Sequence, residues 1–223
     1  MIIARNLERI YTMGKVRVHA LNGVSLEIKK GEFVGVTGPS GSGKSTLMHL
    51  LGLLDQPTAG EIEIDGIYTN TLTKEQRTDF RLQRLGYVFQ EYALVPELTV
   101  FENVILPFMV REEPPDTSKK RVMEILEIIG LGERTNHLQN ELSGGEQQRV
   151  AIARAIAGKP SILFADEPCA NLDTDNSRII LDLFADINRK MGQTILMVSH
   201  EDWHRDYFGR VIQLRDGKIV PDQ

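Results

Sequence analysis

Three short segments carry the residues able to do chemistry. Gly38-Pro39-Ser40-Gly41-Ser42-Gly43-Lys44-Ser45-Thr46 is a complete G-x-x-x-x-G-K-[ST] pattern. Gly38, Gly41 and Gly43 let the backbone aim successive N–H groups inward at an anion. A helix opening near Gly43 adds the positive end of its dipole. Lys44 supplies a full charge for the β- and γ-phosphates of a nucleotide, and the Ser45 hydroxyl can ligate Mg²⁺. A chance glycine turn is the plain alternative, and the apolar strand before the loop and the leucine helix after it argue against one. The second segment is Ile162-Leu163-Phe164-Ala165 running into Asp166-Glu167. Asp166 suits Mg²⁺, directly or through water. Glu167, one residue on with its side chain on the other side, can polarise an attacking water as general base. A solvated acidic turn before Pro168 is the alternative. His200, after Met197-Val198-Ser199, can hydrogen-bond the γ-phosphate and that water as a neutral imidazole, although a lone strand-end histidine is commonly structural. His19, His49, His137 and His204 lack such a context and read as structural. The third segment is Leu142-Ser143-Gly144-Gly145-Glu146, where a hydroxyl and glycine N–H groups open a second helix and so a second anion site. Ser143 and Glu146 also have the spacing of a capping box, and both readings can hold.

These segments need a frame. Residues 1–30 alternate in short apolar runs and read as β-structure with turns at Met13-Gly14 and Asn22-Gly23. Phe33 to Thr37 is a buried-strand pattern leading into the glycine loop. Ser45 to Leu54 follows as a helix with Leu47, Leu50, Leu51 and Leu54 on one face. Glu61 to Asp65 is a period-2 strand ending in a turn at Gly66. From residue 91 to about 155 the chain changes character: Pro96, Pro107, Pro114 and Pro115 punctuate helical stretches such as Lys119 to Ile129, which predicts a helical subdomain. Strands over 161–165 and 194–198 flank a helix from about Asn176 to Lys190, so the βαβ pattern argues a doubly wound core. Val211 to Val220 reads as a terminal hairpin. The predicted fold is α/β: a phosphate-loop core with a mostly parallel sheet, an N-terminal antiparallel β-subdomain and the inserted helical subdomain, within a single domain 1–223.

The chain has 223 residues, enough to bury a proper core, and a net charge of −5 from 26 basic and 31 acidic residues. A nucleic-acid binder would more often show a basic excess, so no nucleic-acid partner is expected. One cysteine, Cys169, excludes an internal disulfide and fits a reducing compartment. No window approaches the roughly 20 apolar residues needed to cross a bilayer, so any membrane role is expected to come through a partner.

With these motifs in place, nearly the whole chain resembles the ATP-binding-cassette (ABC) ATPases. Ser143-Gly144-Gly145 looks like that family's signature, which separates it from other phosphate-loop proteins. The resemblance implies Mg²⁺-dependent ATP hydrolysis and a head-to-tail homodimer with two ATP sandwiched between phosphate loop and opposing signature. It implies a role for His200 as the switch histidine. Gln90, after Leu85 to Phe89, is placed like the Q-loop glutamine that senses the Mg²⁺–γ-phosphate unit, with a buried strand-end glutamine as the plain alternative. Asn171-Leu172-Asp173 resembles the D-loop whose Asp reaches across the dimer. Tyr11 sits where the family stacks adenine on an aromatic ring. Cys169-Ala170 depart from the pattern, standing where Thr-Gly is frequent.

Residues 18–26, 52–60 and 101–107 resemble the branch that powers lipoprotein release and macrolide or peptide export. That resemblance implies a motor subunit that is cytoplasmic and peripheral on the inner membrane face, held by integral membrane permease subunits. The alternative is a soluble ABC ATPase acting on nucleic acid or the ribosome; such proteins usually carry two cassettes or a long inserted coiled coil, and neither is found here. Residues 91–111 mix charges (Glu91, Glu97, Glu102, Arg111) with apolar side chains (Tyr92, Leu94, Val95, Leu98, Phe101) and suggest a docking surface for a partner helix, or packing of the helical subdomain.

Overall fold

The computed structural model describes residues 1–221. Its organising element is a six-stranded sheet of order β10-β9-β3-β8-β7-β6. The strands are β3 (Phe33–Thr37), β6 (Leu85–Val88), β7 (Ile162–Asp166), β8 (Thr194–Val198), β9 (Arg210–Arg215) and β10 (Lys218–Val220). All neighbours pair parallel except β10 with β9, which closes the tail as the expected hairpin. The strands of this sheet's centre are apolar run after run because both faces are covered. Alternate residues go to opposite cores. Phe33, Leu163, Ala165, Ile195 and Met197 join the helical side. Val34, Val36, Ile162, Phe164, Leu196 and Val198 face the other way.

The second core lies under α1 (Lys44–Leu51) and a four-stranded antiparallel sheet of order β2-β1-β4-β5. That sheet is built from β1 (Ile2–Met13), β2 (Val16–Ile28), β4 (Ala59–Ile64) and β5 (Ile67–Tyr68). The expected turn at Met13-Gly14 holds. The one expected at Asn22-Gly23 does not: β2 continues through it, and Gly23 (φ 74) is the extra residue of a bulge between the Leu7–Val24 and Glu8–Asn22 pairs. The α1 helix also ends earlier than its leucine spacing suggests. Leu53 takes φ 58 after Gly52, so Leu54 leaves the apolar face and is 44% exposed.

On the helical side stand α3 (Val100–Val110), α4 (Pro115–Ile128), α5 (Gly144–Ala157) and α6 (Thr174–Met191). Capping boxes start α3 at Thr99 with Glu102 and α5 at Ser143 with Glu146; Asp173 caps α6. Pro115 opens α4 at its first position, whereas Pro107 sits inside α3. A further helix, α2 (Lys74–Arg84), has no apolar stripe to announce it; Thr73 and Gln76 form its capping box.

Gly35 shows how tightly this sheet is covered. A Cβ there would lie 2.0 Å from the Phe208 ring, which itself meets Phe33 edge-on at 5.3 Å. Overpacking a closed core costs about 1–3 kcal/mol, so Gly35→Ala should lower the unfolding free energy by that order and move the urea midpoint down. An unchanged midpoint would show that the Phe208 ring yields freely.

Candidate functional site

The carboxyl ends of β3, β7 and β8 lie side by side, and the chemistry-bearing segments leave from them. The glycine loop leaves β3 and feeds α1. A Cβ on Gly38 would come 2.1 Å from the Leu214 carbonyl oxygen, and one on Gly43 would come 2.4 Å from that of Ala20. At both positions the backbone also needs positive φ, 143° and 102°, which only glycine takes freely. Lys44 is buried and folds back, its Nζ donating to the carbonyls of Gly38 and Pro39 at 3.0 Å each. The ammonium has three donors, so one remains. The Ser42 hydroxyl is buried in the same loop without a partner. A closed loop with an orphaned hydroxyl and a spare cationic donor fits phosphate.

Asp166 ends β7, with Ser45 Oγ 3.4 Å from its Oδ1. Burial pushes the Asp166 carboxyl up; the ring of His49, 3.8 Å from Oδ2, opposes that shift and the Glu167 carboxylate adds to it. A hydroxyl beside a carboxylate raised by desolvation is a hard oxygen pair that suits a divalent cation such as Mg²⁺. His49, read as structural from the sequence, therefore faces the site. Only the helical offset from Ser45, four residues back, could have signalled it.

Glu167 turns away from Asp166 by a left-handed backbone (φ 45), unusual for a non-glycine residue, rather than by strand alternation. Its N–H donates to the Val198 carbonyl at 3.1 Å. Its Oε2 stands 3.3 Å from His200 Nδ1, and His200 Nε2 stands 3.2 Å from Glu201 Oε1. An open cleft of about 400 Å³ runs over Ser40, Gly41 and Gly43 to Thr46, with Glu167 and His200 on one wall and Val18, His19 and Ala20 on the other. His19, also read as structural, thus lines it.

Other expected residues stand around this cleft rather than in its wall. Tyr11 pairs across the sheet with Val18, so the two share a face. The Arg9 guanidinium lies over its ring at 4.5 Å, and its hydroxyl donates to Asp55 at 2.9 Å. One ring face is thus already covered by a cation. Gln90 follows β6, which ends at Val88, and its carbonyl accepts from Asn171 Nδ2 at 3.1 Å. That bond ties the loop after β6 to the loop after β7.

Ser143, Gly144 and Gly145 are absent from the cleft lining. They open α5, where the Glu146 carboxylate accepts from both the N–H and the hydroxyl of Ser143 at 2.8 Å. Those bonds, with Arg134 3.5 Å away, hold the Glu146 carboxyl below its usual range. The acid and the Ser143 hydroxyl therefore both serve the cap. Gly145 fits closely under Asn176, whose Oδ1 a Cβ would meet at 2.5 Å. Asn176 in turn donates from backbone and side chain to Asp173, at 2.8 Å each. The start of α5 and the Asp173 cap thus form one unit. The Cys169 thiol is buried and pushed up to about 12 by desolvation, so it packs as a small apolar side chain.

The model of the ABC transporter family matches residues 21–170. A lipoprotein-releasing system ATP-binding protein of Aquifex aeolicus is 46% identical over 90% of this chain and 89% of its own length. The macrolide export ATP-binding/permease protein of Chlorobium luteolum is 47% identical over 98% of this chain, which spans 32% of that relative. A dimeric ATP-binding cassette in a post-hydrolysis state, bound to ADP and Pi, superposes with a TM-score of 0.91 at 41% identity, covering 100% of this chain and 98% of that one.

The Ser143 cap carries a pH signature. Losing the hydroxyl in Ser143→Ala should cost about 1 kcal/mol at neutral pH. The Glu146 carboxyl is depressed on folding, so its contribution is complete above the ordinary glutamate value and is lost as pH falls through the folded value. Chemical denaturation from pH 7 downward should therefore show the gap between Ser143→Ala and wild type closing in acid. A gap that stays constant would remove Glu146 from the cap.

Proposed function

Because the chain belongs to the ABC transporter family, we propose that it is the ATP-hydrolysing motor subunit of a transporter, working as a homodimer beneath separate membrane subunits. What carries this reading is the separation of two anion sites: the cleft over the phosphate loop is lined by none of Ser143, Gly144 and Gly145. One ATP cannot engage both loops of one chain, so a second copy must supply the opposing signature. The dimeric relative bound to ADP and Pi supports that arrangement.

In this reading Lys44 and the N–H groups of residues 40–46 receive the β- and γ-phosphates and stabilise charge as it develops. Lys44 must exchange its bonds to Gly38 and Pro39 for phosphate oxygens. Ser45, Asp166 and Gln90 would hold Mg²⁺, which neutralises phosphate charge when bound. Glu167 takes the proton of the attacking water, and His200 positions that water and the γ-phosphate. Tyr11 would offer adenine the ring face that Arg9 does not cover. Asp173 and Ser143 meet the other protomer, and Ser143 then trades its cap for phosphate.

Of the residues in 91–111 that suggested a docking surface, Arg111 lines the groove below and others pack inward. Leu94 is in the core, and Tyr92 and Phe101 pack against it. A groove of about 400 Å³ opens instead between Leu54, Leu82, Phe89 and Pro107, with Arg111 and Arg154 at its sides. It adjoins the Gln90 loop, so closure around ATP would move it. Among the described residues no helix is long and apolar enough to cross a membrane. A helix of a permease subunit in this groove would place the chain peripherally at the membrane and transmit its motion.

Lys44→Ala should abolish ATP binding in a titration. Glu167→Gln should bind ATP normally but lower kcat by about 10²–10⁴; turnover at the wild-type rate would exclude Glu167 as the base. Light scattering should show Glu167→Gln as a monomer that doubles its mass with ATP, and an unchanged mass would count against the sandwich. Leu54→Asp should keep basal hydrolysis and abolish transport by the assembled complex. Transport at the wild-type level would place docking elsewhere.

A further inference from the structure

Behind Glu167 and His200 lies a second, smaller cavity of about 150 Å³, lined by both residues and by Cys169, Ser177, Trp203 and His204. His204 is 3% exposed and sits in the 3-10 turn Asp202–Tyr207. A buried imidazole needs partners for both ring nitrogens. Nδ1 has one, the Ser199 hydroxyl at 2.7 Å. Nε2 is buried with none among the described residues, while the ring lines the polar cavity. Trp203 meets the ring edge-on at 4.3 Å and shields it.

The bond to Ser199 closes a small ring of contacts around His200. Ser199 is anchored to the sheet by its N–H donating to the Val36 carbonyl at 3.1 Å. Its hydroxyl accepts from the Glu201 N–H at 3.2 Å, and the His204 N–H donates to the Glu201 carbonyl at 3.2 Å. His200 lies inside this loop and is itself half-exposed, and its ion-pair partners among the described residues are the carboxylates of Glu167 and Glu201. The loop backbone must aim it, and the buried Ser199–His204 pair is what pins that backbone at both ends.

We propose that His204 is a positioning residue for hydrolysis, fixing through Ser199 the loop that presents His200 to Glu167. Its second nitrogen gives the cavity behind that pair a polar wall large enough for water, which hydrates the back of the site. The inference rests on the reading of Glu167 and His200 as the hydrolytic pair. It assigns to a histidine four residues beyond His200 a role that its position in the sequence does not announce.

Steady-state kinetics on His204→Phe, His204→Asn and Ser199→Ala tests it, with active sites counted by ATP binding. Asparagine can place a polar atom where Nδ1 stands; phenylalanine keeps shape alone. His204→Phe and Ser199→Ala should each lower kcat about tenfold with KM for ATP unchanged. The double variant should be no worse than either single one, because both remove the same bond. His204→Asn should recover most of the rate, and ATP-driven dimerisation in a Glu167→Gln background should be unaffected by His204→Phe. A wild-type kcat in Ser199→Ala, additive losses, or no recovery in His204→Asn overturns the proposal. Should His204→Phe fail to fold, Ser199→Ala and His204→Asn decide the matter on the same criteria. Glu167→Gln is the control: if it too turns over at the wild-type rate, the hydrolytic pair itself is wrong, whereas its inactivity beside an unaffected Ser199→Ala rejects only the role of His204.

Discussion

Everything at the site depends on the pairing of β3, β8 and β7 in parallel at the middle of a sheet buried on both faces. Val198 pairs with Val36 on one side and with Asp166 on the other, so three strand ends finish at one level. Val34, Val36, Leu163, Phe164, Ala165 and Leu196 are each 0% exposed. Strands so enclosed cannot slip by one residue without turning every side chain into the wrong core. The register that fills two cores therefore also places Lys44, Asp166, Glu167 and His200 around one cleft.

The polar residues around the cleft and at the start of α5 are held in bonds of their own. Lys44 rests on loop carbonyls, Ser143 on the Glu146 cap, Asp173 on Asn176, and Tyr11 between Arg9 and Asp55. Groups without such bonds would be exposed to collapse or to costly burial unpaired. In the proposed function their role with ATP is an exchange of partners, in which phosphate and a second protomer would replace contacts these groups already make. Such an exchange favours a state that closes only with nucleotide, because the loop and cap bonds of the single chain hold Lys44, Ser143 and Asp173 until phosphate and a partner replace them.

The connections between loops give this exchange its reach. Asn171 joins the Gln90 loop to the segment after β7. Asn103 holds the same loop to α3, accepting from the Val95 N–H at 2.9 Å and donating to the carbonyls of Val95, Leu98 and Thr99. The Gln90 segment is thus tied on one side to the acidic strand end and on the other to the helical layer. A change felt at the phosphates has a bonded route to the groove beside Phe89.

Much of this was determined by local pattern. The phosphate loop, the apolar runs of β3, β7 and β8, the Ser143 cap and the terminal hairpin are legible because a few neighbouring residues decide each. The places where sequence reading falls short share another cause. Asn22-Gly23 has the composition of a turn, yet pairing with β1 turns it into a bulge. Leu54 continues a leucine spacing, yet the left-handed Leu53 takes it off the helix. His49, His19 and His204 look alike in the sequence, and only the packing of distant segments separates them: one beside Asp166, one on the cleft wall, one buried against Ser199. The sequence by itself determined which chemistry the chain can do, because phosphate loops, caps and buried strands are built from contiguous residues. Tertiary structure alone decided which further side chains serve that chemistry, because a histidine's role is set by groups more than a hundred residues away or by a bond its own loop must fold to make.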